Sequence, residues 1–144
     1  RIRTLNDRPA RSSGRYVLYW MQQSQRADFN HALEHAARTA NDRGQGLVVG
    51  FGLSADYPEA NERHFAFMLE GLAEVDEALS RRGIRFVVYE GRPDEIALSL
   101  SEHSSVLVCD RGYLRHQRQW RERVAAEAER LLKVLDARLR ADAP

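Results

Sequence analysis

Two histidines and a glutamate stand together in HALEH, His31 to His35. Histidines four apart on a helix can grip one zinc ion while the glutamate activates water, the chemistry of H-x-x-E-H zinc proteases. Helical geometry disfavours that here. At about 100° per residue, His31 and His35 point away from the apolar stripe of Phe29, Leu33 and Ala36 and share the outer face with Glu34 and Arg38. A catalytic zinc needs a dry, shaped cavity, so a solvated helix face is the favoured reading.

Cys109 is the single cysteine, which excludes an internal disulfide framework and a cysteine-rich zinc site. It fits a reducing, cytoplasmic compartment. Val106 and Val108 beside it mark a buried packing thiol, and no G-x-S-x-G elbow supplies a serine nucleophile. DRGYLRHQRQWRER interleaves Arg111, Arg115, Arg118, Arg121 and Arg123 with Tyr113 and Trp120, a composition able to bind a nucleic-acid backbone. A charged helix face anchored by Trp120 accounts for most of these arginines. Arg111 is the exception, because it directly follows an apolar run. Net charge adds no case for nucleic acid: 22 Lys and Arg balance 21 Asp and Glu, and the pI is about 8.2.

Apolar runs organise the rest. YVLYWM (Tyr16–Met21), GLVVGFG (Gly46–Gly52), IRFVVYEG (Ile84–Gly91) and SVLVCD (Ser105–Asp110) are continuous rather than alternating, as strands buried on both faces must be. Helices separate them. The first runs from an expected N-cap at Asp28 to Asp42, with Gly44 just beyond. The second carries Phe65, Met68, Leu69, Leu72, Val75 and Leu79 on one face. Pro93 suits the first turn of a third helix, and a fourth starts near His116. Alternation of this kind predicts an α/β, Rossmann-like parallel sheet of four or five strands with helices on both faces. Residues 1–15 read as an irregular arm, 16–130 as the α/β domain and 131–144 as a tail. Leu131–Leu135 could be a fifth strand, but Leu131, Leu135 and Leu139 at four-residue steps favour helix. No apolar run is long enough to span a bilayer, and no secretory signal opens the chain. A start at Arg1 rather than Met suggests a trimmed chain or fragment.

In such sheets ligands sit beyond the carboxyl ends of the strands, where strand order reverses. Polar turns fall at those ends: Gln22-Gln23-Ser24, Gly52-Leu53-Ser54, Glu90-Gly91-Arg92 and Asp110-Arg111-Gly112. They suit a polar, planar or phosphorylated small molecule. A dinucleotide fingerprint is missing, since QQSQRADF after the first strand holds no glycine, and there is no Walker-type loop.

Several stretches, in order, resemble one family. They are LNDRP, YVLYWMQQSQR, VVGFGLSADYPEANERHFAFMLEGL, RRGIRFVVYEG and VLVCDRGYLRHQRQWRERVA. The set is similar to the N-terminal domain of class II cyclobutane-pyrimidine-dimer DNA photolyases, over about Arg1 to Ala126. The resemblance implies an antenna-side domain followed by a helical domain that holds FAD and the damaged DNA. It implies that this part alone is not catalytic. An antenna chromophore (deazaflavin, folate or flavin) would border Gln22, Gln23, Gly52, Leu53, Asp110 and Arg111. The implied partners are the helical FAD-binding domain and, through it, UV-damaged DNA, with no membrane. A free-standing binder of small molecules or nucleotides is the competing expectation.

Overall fold

Strands without alternation need helices above and below, and the chain provides them. The computed structural model describes residues 2–4, 14–22, 30–53, 62–110, 115–127 and 131–135. In chain order the elements are β1 (Ile2–Thr4), β2 (Tyr16–Trp20), α1 (His31–Arg43), β3 (Gly46–Leu53), α2 (Glu62–Arg81), β4 (Arg85–Glu90), α3 (Pro93–Ser101), β5 (Ser104–Asp110), α4 (Arg115–Glu127) and β6 (Leu131–Leu135). They form one sheet in the order β1-β6-β5-β2-β3-β4. The five strands from β6 to β4 are parallel, and β1 runs antiparallel against β6. The α/β, Rossmann-like expectation therefore stands.

The pleat divides β2 between two cores. Val17, Tyr19 and Met21 join Leu33 of α1 and Leu72, Val75 and Leu79 of α2. Leu18 and Trp20 pack on the other face with Ala97 of α3, Val124 of α4 and the buried Cys109. Trp120 packs against the second cluster, as a core anchor should.

Some expectations fail. Leu131–Leu135 is not helix: it is β6, pairing in parallel with β5 from Val106–Leu131 to Asp110–Leu135. Helix propensity is a weak local prior, and the free ladder edge of β5 offers LLKVL hydrogen bonds that outweigh it. The arm is not wholly irregular either. Ile2–Thr4 closes the β6 edge, with Ile2 opposite Leu135 and Thr4 opposite Lys133. That partner lies at the far end of the chain, out of reach of local pattern.

Asn30, not Asp28, caps α1. Its Oδ1 accepts the Leu33 N–H at 3.0 Å. Gly44 ends the helix at φ 65°, a left-handed turn that favours glycine. Leu69, expected on the buried face of α2, is 46% exposed, because it stands one residue off the Met68–Leu72–Val75–Leu79 stripe. The Phe65 side chain lies outside the described residues. His31 and His35 are half-buried rather than on an open face. α1 packs over β2, β3, β5 and β6, reaching the strand expected to be helix. Among the described residues, no helix is long and apolar enough to cross a membrane.

Candidate functional site at the switch point

From β2 the chain builds outward through β3 to β4, then returns through α3 to lay β5 on the other side of β2. Strand order reverses between β2 and β5, and in sheets of this kind ligands are taken beyond the carboxyl ends at such a reversal. Asp110 is the last residue of β5 and is 1% exposed. Its Oδ1 accepts the backbone N–H of Gln22 at 2.7 Å, tying the turn after β2 to the end of β5. Gln22 and Asp110, two of the expected site residues, are thus brought together.

A polar chain extends from this contact into the core. The Tyr19 hydroxyl lies within the field of the Asp110 carboxylate. It also accepts from Asn30 Nδ2 at 3.1 Å, while Asn30 Oδ1 caps α1. Burial, and next the negative charge of Asp110, push the Tyr19 phenol well above its ordinary value. Tyr19 therefore stays neutral as a donor. Every member of this chain is buried, so it forms a rigid floor rather than an acid–base pair open to solvent.

On the other face, Gln22 Nε2 donates to the Gln117 carbonyl of α4 at 3.2 Å. Gln22 Oε1 and the indole Nε1 of Trp20 are buried with no partner among the described residues. Gly52 and Leu53 end β3, one strand further out. A Cβ on Gly52 would lie 2.6 Å from Pro93 Cα, so glycine lets the start of α3 seat directly on the strand end. The Leu53 carbonyl accepts the Gly91 N–H at 2.9 Å, which closes the turn after β4 over it. Gln23 and Arg111 lie outside the described residues. Beside Pro93, Asp94 is fully buried, and its Oδ2 meets Arg92 and Arg123 at 2.9 Å each. This clamp joins α3 to α4.

Pattern reading missed Tyr19, Asn30, Gln117 and Asp94 as polar contributors. Only Asn30 carried a local signal, as a capping residue directly before the first helical position. In HALEH, Glu34 pairs with Arg82 at 3.1 Å. Among the described residues, no group of three or more His, Cys, Asp or Glu is arranged to hold a metal.

The family model described as DNA photolyase matches residues 17–139. The chain belongs to the DNA photolyase family. The deoxyribodipyrimidine photo-lyase of Methanothermobacter thermautotrophicus is 45% identical over 125 residues, covering 87% of this chain and 28% of that protein. The photo-lyase of Potorous tridactylus is 33% identical over 72% of this chain and 20% of its own length. This chain thus spans about a quarter of the length of the photolyases it matches. In fold it is similar to a bacterial class III photolyase from Agrobacterium tumefaciens, with a TM-score of 0.68, 17% identity, and coverage of 85% of this chain and 26% of that one. A universal stress protein in complex with cAMP shares the fold at a TM-score of 0.58 and 14% identity, over 87% of this chain and 99% of that one.

Proposed function

We propose that this chain is the antenna-side α/β domain of a light-dependent, class II deoxyribodipyrimidine photolyase. The observation that carries the reading is the 45% identity to a deoxyribodipyrimidine photo-lyase over 87% of the chain. The parent protein would open cyclobutane pyrimidine dimers in UV-damaged DNA, using FAD held in a helical domain that follows this one. The α/β domain spans 16–130 and takes in β6 beyond it. The chain alone is catalytically silent in this reading.

Its own task is to support an antenna chromophore, a deazaflavin, folate or flavin. The pocket would be bordered by Gln22, Gln23, Gly52, Leu53, Asp110 and Arg111. What supports this is the reversal of strand order between β2 and β5 and a floor of buried hydrogen bonds beneath it, Gln22 to Asp110 and Asn30 to Tyr19. Such a floor fixes the turn at Gln22 before any ligand arrives, and that preorganisation favours binding. The chromophore would supply light absorption; the chain's residues hold and orient it.

A second reading is a free-standing nucleotide binder, favoured by the shared fold of the universal stress protein in complex with cAMP. Titrating the chain with a deazaflavin, FMN, a folate and ATP separates the two. Preferential binding of one pigment is the expected result, and selective ATP binding would support the second reading. With added FAD and light, the chain alone should leave thymine dimers intact. A polypeptide of the relatives' full length should repair them.

A further inference from the structure

We infer that a buried water molecule is held between the carboxyl end of β2 and α4, bonded to Trp20 Nε1 and Gln22 Oε1. Both side chains lie under α4. Trp20 packs in the cluster that contains Val124, and the Gln22 amide nitrogen rests on the Gln117 carbonyl. The two residues are 1% and 8% exposed, and neither atom finds a partner among the described residues. One atom can only donate and the other can only accept. They do not bond each other.

Buried polar atoms are rarely left unpaired in native interiors, because each forfeits the hydrogen bond it had in water. A guest that accepts from the indole and donates to the amide oxygen satisfies both. The depth of both residues selects a small guest, and water is the smallest with both capacities. It would join the end of β2 to the turn that follows it, beside the Gln22–Gln117 bond that ties this turn to α4. The family and antenna readings do not depend on it.

The test is nuclear magnetic resonance on the whole chain carrying Trp120→Phe, which leaves Trp20 as the sole source of an indole N–H signal. That proton should show a cross-peak to water with the sign of a long-lived, bound molecule. Adding Gln22→Met, similar in length but without the amide oxygen, should weaken the cross-peak several-fold. A folded chain with no such cross-peak overturns the inference, and so does a cross-peak unchanged by Gln22→Met. Should Trp120→Phe fail to fold, the two indole signals of the unaltered chain can be assigned and the Trp20 signal read in the same way.

Discussion

The two ends of the central strands are tied in different ways. At the amino end the contacts are neutral and mostly end on backbone. Gln45 Nε2 donates to the Gly14 carbonyl at 2.7 Å, the Ser105 hydroxyl bonds Gln45 Oε1 at 2.5 Å, and the Arg15 N–H meets the His103 carbonyl at 2.7 Å. At the carboxyl end a fully buried carboxylate, Asp110, takes the Gln22 N–H beside the buried Tyr19 phenol. Two further buried polar atoms there have no partner among the described residues. Neutral ties to backbone are cheap to form and modest to lose. A buried charge is costly unless every partner is in place. The carboxyl end thus carries the larger energetic risk, as expected of an end shaped for a ligand rather than for stability alone.

Breaking each end measures the difference. Asp110→Ala strips a charged acceptor from the buried Gln22 N–H and should cost about 3 kcal/mol in urea unfolding. Ser105→Ala, its counterpart at the amino end, should cost about 1 kcal/mol. Equal losses would erase the distinction. Next in size is Gly52→Ala. Its new Cβ would meet backbone at Pro93 Cα, 2.6 Å away, which cannot rotate aside. A loss of about 2 kcal/mol is expected, with α3 displaced from the end of β3 in a crystal structure of the variant.

Tyr19 sharpens the comparison through pH. Its phenol is raised above the ordinary value of about 10. The unfolded chain releases this proton as pH passes about 10, while the folded chain keeps it. Stability from this group is therefore complete below about pH 10 and falls as pH rises above that. The expected loss is about 1.4 kcal/mol for each pH unit until the folded group also titrates. Tyr19→Phe should flatten the alkaline limb by one proton. An unchanged slope in this variant would show that the hydroxyl titrates normally.

Much of this was legible in sequence, and what was not has a common cause. Continuous apolar runs revealed the parallel sheet, and the sheet's strand ends named the candidate turns. Gln22 and Asp110 were readable together because both lie where adjacent strands end at the same edge. The pleat gives Tyr19 its face but not the Asp110 charge beside its hydroxyl, since Asp110 is distant in sequence and comes close only through β5. β6 failed for the same reason: its ladder partners decide its state, and no local window contains them. Nothing local marks Asp94 as a buried acid. Its burial follows from the meeting of α3 and α4.

That α3–α4 clamp gives the smallest expected effect and the finest probe of the carboxyl end. Asp94 Oδ2 is shared, and the Arg92 and Arg123 side chains are 58% and 37% exposed. Arg92→Ala leaves Arg123 in place, so solvent screening should hold the loss to about 0.5 kcal/mol, fading in high salt. Arg123→Ala also gives up Glu127 at 3.2 Å and should cost slightly more than Arg92→Ala. Removing both strands a buried carboxylate with only the Glu95 N–H at 3.0 Å. The double variant should therefore lose more than the sum of the two single losses. Strict additivity would mean that water replaces the arginines at no cost, and that the charge at this corner is less enclosed than its full burial implies.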